Sequence, residues 1–378
     1  MREIAQDEIP PEPDRAGTAP HPRHTLHLFG QAAAEEAFLD AFSSDRLHHG
    51  WLLTGPRGIG KATFAWKAAR FLLSQPAPGA DDGLFGAPPA PSSLDTDPEH
   101  PVARRLAALS DPALFLLRRP WNDKTKKLSA EITVDTVRGL HSFLHMSASD
   151  GGRRVVIVDA ADELNTSAAN ALLKVLEEPP ANTTLFLVSH QPARLLPTIR
   201  SRCRSLPLNP LTDTDMQAAL TQAAPEATLD PGLAALAQGS VGTALRMAEG
   251  GGLETYTALL SLWSGRSFDR ARAIACAEAC VGAAQTDTYA LTTELIALFL
   301  ARTARAGLEG PPAAPVSSEE AAVLTRLAPH DVAARGWASL ASTLQGRIAH
   351  ARAVNLDPAA VILDTLHAID TEARRWAS

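Results

Sequence analysis

The segment Gly55-Pro56-Arg57-Gly58-Ile59-Gly60-Lys61-Ala62-Thr63 has the residue types and spacing to cradle phosphate. Glycines let backbone N–H groups curl round anionic oxygens, a following helix adds positive potential, and a lysine reaches the outer phosphates. The context suits a P-loop. The apolar run Trp51-Leu52-Leu53 precedes it, and Phe64, Ala68, Phe71 and Leu72 mark one face of a helix behind it. The motif's last position, where Ser or Thr would hold Mg²⁺, is Ala62. Its methyl cannot coordinate a cation, and Thr63 points about 100° further round the helix. A second apolar run, Val155-Val156-Ile157-Val158, ends in Asp159, the arrangement that holds Mg²⁺ through water. In active ATPases of this type the next residue is commonly a Glu that polarises the attacking water; here it is Ala160. Asp159 also suits a strand-end or helix-capping role, and Asp162 and Glu163 read as helix-start charges. With two catalytic positions blank, the spacing points to a degraded site that admits ATP or ADP and leaves Mg²⁺ binding open.

The elements that must position these groups are legible as short apolar runs separated by helical stretches. Trp51–Leu53, Val155–Val158 and Leu185-Phe186-Leu187-Val188 read as strands buried on both faces of a parallel sheet. Val137, Leu140, His141 and Leu144 share a helical face after a cap at Asp135. Another helix follows Asn165, carries Ala171–Leu176 and is halted by Pro179-Pro180. Beyond about Leu206 the strand signal fades. Amphipathic helices take over, such as Leu291, Leu295, Leu298 and Phe299, or Ile362, Leu363, Leu366 and Ile369, with a break at Gly307–Pro315. Residues 1–20, rich in proline and charge, read as a disordered tail, and 75–101 as a Pro/Ala-rich surface insertion.

The 378 residues exceed one ordinary core, and a hydrophobic fraction of 45% excludes wholesale disorder. A net charge of −7 argues against non-specific coating of nucleic acid. Cys203, Cys276 and Cys280 cannot build a disulfide framework, no early apolar run reads as a signal peptide, and no stretch would span a membrane. These features predict a soluble, cytoplasmic protein. Lys124, Lys126 and Lys127, beside Arg118 and Arg119, read as a solvated hairpin tip, with a DNA-facing surface as the alternative.

Further stretches carry a resemblance. Asn170-Ala171-Leu172-Leu173-Lys174-Val175-Leu176-Glu177-Glu178-Pro179-Pro180, Leu196-Pro197-Thr198-Ile199-Arg200-Ser201-Arg202-Cys203, Asn355-Leu356-Asp357-Pro358 and Leu28-Phe29-Gly30-Gln31 resemble motifs of the bacterial DNA polymerase III clamp-loader subunits, an AAA+ family. The resemblance spans nearly the whole chain after residue 20. It implies an α/β AAA+ P-loop domain over 21–207, with a parallel sheet and flanking helices, then a small helical lid over 208–250 and an all-α collar over 251–378. The lid of hydrolysing members carries an arginine in a GSxRDAL-like segment. Here that segment is Gly239-Ser240-Val241-Gly242-Thr243-Ala244-Leu245, with Gly242 at the arginine position and Arg246, a turn away, reading as a solvated helix residue.

The resemblance therefore implies a stator-like subunit that has shed hydrolysis and donates Arg202 as an arginine finger to a neighbouring subunit's ATP. Arg200 and Arg204 are the fallback candidates, and Cys203 reads as a packing residue. Ser189 and His190 stand where the family places a sensor. The implied partners are gamma/tau and delta subunits in a hetero-pentamer, with the sliding clamp and primer–template DNA reached through the assembly, and no membrane. A family zinc module has no cysteines here, so no metal site is expected; Cys276 and Cys280 lack further ligands, and His21, His24 and His27 read as flexible tail. The alternative is an active gamma/tau-like ATPase in which Thr63 and Asp162 replace the lost groups.

Overall fold

The computed structural model describes residues 11–76, 91–145, 152–226, 230–265, 267–282 and 285–376. They form two compact units, Met1–Ala227 with Gly239–Gly242, and Thr228–Gln238 with Thr243–Ser378. This division differs from the boundaries expected at 207/208 and 250/251.

In the first unit the strands are Gly50–Thr54 (β1), Leu114–Leu117 (β2), Trp121–Asn122 (β3), Lys127–Leu128 (β4), Arg154–Asp159 (β5), Thr183–Val188 (β6) and Arg204–Pro207 (β7). Five of them form a parallel sheet in the order β2-β5-β6-β1-β7, and β3 and β4 pair as a separate antiparallel hairpin. Side chains alternate across a strand, so each apolar run serves two cores. Trp51, Leu53, Val155, Ile157, Phe186 and Val188 pack with Phe38, Phe64 and Phe71 from the helices Ala32–Ser43 and Lys61–Ser74. Leu52, Val156, Val158, Leu185 and Leu187 face Val137, Leu140, Leu172 and Leu176 from the helices Val134–His145 and Thr166–Glu177. Asn165 caps the latter helix by accepting from Ala168 N at 2.9 Å. Asp135 does not cap the former. It lies inside the first turn, where its charge faces the positive helix end.

Two expectations about flexible chain are corrected. Of the tail expected over 1–20, 1–10 lies outside the described residues, and 11–20 is anchored: Ala19 and the adjoining His21 are buried and the Asp14 side chain is enclosed, while Arg15–Thr18 stay exposed. His21 sets its ring edge-on to Trp66 at 5.7 Å. Buried Arg70 donates to Arg23 O at 3.1 Å and Thr25 O at 2.7 Å, so the arm supplies acceptors that a buried guanidinium requires. Of the 75–101 insertion, 77–90 lies outside the described residues. Beyond it, Leu94 enters the core and Asp95 pairs with Lys67 at 2.9 Å.

The second unit is helical throughout its described residues. Leu291, Leu295, Phe299, Ile362, Leu366 and Ile369 are buried as their spacing predicts, whereas Leu363 is exposed. The expected break at Gly307 starts later, because the helix Thr286–Glu309 runs through that residue and ends at Gly310. Gly307 is required for close approach: a Cβ there would meet the Cβ atoms of Ala328 and Ala334 at 3.0 Å. Inside this core Glu320, wholly buried, accepts from Arg302 at 2.7 and 2.8 Å and from Tyr256 Oη at 2.7 Å. Removing one partner of such a pair leaves a buried charge uncompensated, so Glu320→Ala is expected to cost roughly 3–5 kcal/mol. A urea melt reads this directly, and an unchanged midpoint would contradict it.

Candidate nucleotide-binding site

The loop between β1 and the helix Lys61–Ser74 has the backbone that its glycines anticipate. Gly55, Gly58 and Gly60 have φ of 133°, 77° and 104°, conformations that exclude most side chains. Each is also crowded. A Cβ at Gly55 would lie 2.4 Å from Leu208 O, and one at Gly60 would lie 2.7 Å from Leu28 Cδ1. Gln31, buried, donates to Ile59 O at 3.2 Å and to Asn209 O at 2.7 Å. Leu28 and Gln31 thus hold the loop's shape.

The charged groups are arranged differently from a phosphate cradle. Lys61 donates to Gly55 O at 2.6 Å and to Pro56 O, so its ammonium is spent on its own loop. Burial lowers its pKa to about 8, with Asp159 and Asp162 opposing. Asp159 closes β5 and is nearly buried. Burial, aided by the charges of Asp14 and Glu163, raises its carboxyl pKa to about 7 against the pull of Lys61 and Arg57. Ala62 and Thr63 lie half-buried in the first helical turn. Ala160 is buried and carries no proton-transfer group.

Asp162 is committed elsewhere. It accepts from Ser189 Oγ at 2.6 Å, from His190 N, and from Gln191 N at 3.2 Å, pinning the end of β6. The sensor-position serine is therefore engaged by a carboxylate. Burial, followed by the nearby Lys61 and Arg57 cations, lowers the His190 pKa to about 3.

The segment after the first unit's main body completes the site. Ser240 Oγ donates to Arg57 O at 2.7 Å, and Gly242 N donates to Gly58 O at 3.0 Å. A Cβ at Gly58 would meet Ser240 Oγ at 2.5 Å and Gly242 Cα at 2.9 Å, which makes both positions close-approach glycines. Arg246 has a partner: its guanidinium pairs with Glu294, with Nη2 to Oε1 at 2.8 Å, so it is a paired rather than merely solvated residue. As the chain is folded, these groups do not fit a magnesium–nucleotide. The ammonium is engaged, no hydroxyl stands at position 62, and burial raises the Asp159 carboxyl pKa to about 7, away from the fully ionised ligand that a magnesium ion needs.

Arg202 belongs to a separate cluster. It follows the helix Pro197–Ser201 and pairs with Glu177 of the Asn170–Pro180 motif at 2.8 Å, while Nη1 donates to Thr198 O at 3.1 Å. Cys203 packs beside Gly50, where a Cβ would lie 3.2 Å from its sulfur, and burial pushes its thiol pKa up to about 12. Of the fallback arginines, Arg204 lies over the Trp51 ring at 4.9 Å. Arg118 and Arg119 do not join the lysine hairpin: Arg118 pairs with Glu12 and Asp14, and Arg119 with Glu163 at 3.0 Å. Among the described residues no cluster of His, Cys, Asp or Glu is arranged to hold a metal, and no helix is long and apolar enough to cross a membrane.

Residues 30–212 match the family model described as DNA polymerase III, delta subunit. A DNA polymerase III subunit delta' of Pseudomonas aeruginosa is 43% identical over 157 residues, 41% of either chain. Over residues 30–212 the chain is thus similar to DNA polymerase III delta-prime subunits. The Escherichia coli delta' subunit is 33% identical over 219 residues, 57% of this chain and 59% of that one. A gamma subunit of Buchnera aphidicola is 27% identical over 195 residues, 52% and 47% of the two chains. The chain thus spans about half the length of these relatives. The fold is an α/β domain, a parallel sheet with flanking helices, with a helical C-terminal part.

Sequence reasoning singled out the loop, Lys61, Asp159 and Arg202. It did not foresee the pairing of Asp14 with Arg118, whose meeting requires chain segments separated by 104 positions. The raised pKa of Asp159 has a consequence for stability. Its folded value of about 7 exceeds the unfolded 3.8, so its contribution is fully present below pH 3.8 and is lost as pH rises through about 7. Asp159→Asn is therefore expected to flatten the fall in thermal midpoint over that window and to melt higher than the parent at pH 8. Parallel pH profiles for the two chains would contradict this.

Proposed function

We propose that the protein is the stator-like, non-hydrolysing delta-prime component of a DNA polymerase III clamp loader, working in the cytoplasm. On this reading the AAA+ unit and a lid over 208–250 pack beside an ATP-hydrolysing gamma/tau subunit. The helices of 251–378 join a collar with gamma/tau and delta subunits in a hetero-pentamer. The assembly loads a sliding clamp onto primed DNA. The observation that carries the reading is the concentration of losses at one sheet end: Ala62, Ala160 and Gly242 stand where hydrolysis needs a hydroxyl, a carboxylate and a guanidinium, and Lys61 is bound to its own loop. ATP or ADP at Gly55–Thr63 and Asp159 is then a vestige rather than the working cofactor. The alternative, an active gamma/tau-like ATPase using Asp162, is disfavoured because both Asp162 oxygens already accept hydrogen bonds.

Arg202 supplies the working chemistry of the proposal. A rigid guanidinium can stabilise charge on a transferring phosphoryl group of the neighbouring subunit, and Glu177 and Thr198 O hold it until that phosphate competes for it. In a reconstituted loader, Arg202→Ala is expected to slow hydrolysis at the adjoining ATP site by about 10³-fold, a magnitude typical of arginine fingers, with assembly by gel filtration unchanged. Equal ATPase rates for parent and variant would remove the finger assignment.

A further inference from the structure

The N-terminal arm over Glu12–Ala19 runs across the phosphate loop's end of the sheet, and we infer that it is the site's intramolecular occupant, keeping nucleotide out until it is displaced. Asp14 carries the contact. Its carboxylate is fully enclosed, with Oδ2 at 2.9 Å from His21 Nε2 and Oδ1 paired with Arg118. Arg118 directly follows β2, whose Leu117 registers with Val158, the residue before Asp159. Burial drives the Asp14 carboxyl pKa upward, yet His21 and Arg118 hold it below the ordinary carboxylate value, so a fixed anion sits beside Asp159. Glu12 adds a second acceptor for Arg118, at 3.4 Å, and for Arg23.

Steric contact closes the same space. A Cβ on Gly242 would lie 3.5 Å from Ala16 Cβ and 2.9 Å from Gly58 Cα, so the arm and the P-loop leave room between them for a glycine at 242 and no larger residue. Within the arm Arg15 Nε donates to Ala19 O at 2.7 Å. The chain that follows is tied down, because Arg23 Nε donates to Ala107 O at 3.1 Å and Arg70 holds Arg23 O and Thr25 O. A tethered occupant acts at a high effective concentration, and nucleotide affinity falls by the fraction of molecules whose arm is displaced. A triphosphate entering here would meet the anionic Asp14 and an ammonium already satisfied. Lys61 can therefore persist as a structural group, its Nζ donors serving the chain itself.

This inference rests on reading Gly55–Lys61 as a nucleotide-site remnant. The test uses the isolated full chain, titrated with a fluorescent N-methylanthraniloyl ATP in the presence and absence of Mg²⁺. It is compared with a chain lacking residues 1–19 and with full-length Asp14→Lys, which sets a cation against Arg118 and His21. Each variant is taken forward on a cooperative thermal melt, so that at least one folded arm-released chain is measured. Saturable binding at least roughly tenfold tighter in an arm-released chain is expected, since apparent affinity scales with the open fraction. Equal affinity in parent and variants, or no saturable binding in a folded arm-released chain, would overturn the inference. Either failure is distinct from failure of the clamp-loader reading, which the Arg202→Ala comparison decides without nucleotide at this site.

Discussion

A parallel sheet sealed by helices on both faces leaves charge one place to go, the carboxyl ends of its strands. In this protein that constraint collects Lys61, Asp159, Asp162, Arg118 and, from the N-terminal arm, Asp14. Each is buried or half-buried, so each must find a partner within the fold or change protonation. Lys61 takes backbone carbonyls, Asp162 takes Ser189 and backbone N–H groups, Asp14 takes Arg118 and His21, and Asp159 shifts toward its neutral form. The local architecture follows from this set of pairings.

On the proposed reading, such an arrangement lets a phosphate loop outlive its chemistry. Hydrolysis needs groups left free to meet substrate, whereas folding needs the same groups satisfied. Replacing the hydroxyl, the carboxylate and the guanidinium by Ala62, Ala160 and Gly242 removes three polar groups from a crowded space. The last of these also opens room for Gly58 to be approached at backbone distance. Meanwhile Arg202, on a separate surface with Glu177, is untouched by these losses, as a residue acting on a neighbour's substrate would be.

What was legible in the residues followed from short-range rules. The runs Trp51–Leu53, Val155–Val158 and Leu185–Val188 announce central strands because burial on both faces removes any need for polar alternation. β2 and β7 escaped notice because each is a four-residue edge strand, and Arg204-Ser205-Leu206-Pro207 is too polar to read as buried. The phosphate loop was visible from glycine spacing and its flanking elements. Its closure was not, because composition judged Glu12–Ala19 by its prolines and charges while the fold supplies Arg118, Arg70 and Trp66 from distant segments to meet them. Local hydrophobicity carries no record of ion pairs made across a hundred positions.

On the proposed reading this chain binds into an ATP-driven assembly without turning over ATP itself. Steady-state phosphate release by the isolated full chain, with Mg²⁺ and primed DNA present, tests it most directly. Release indistinguishable from a Lys61→Ala control is expected. DNA-stimulated hydrolysis that Lys61→Ala abolishes would contradict it.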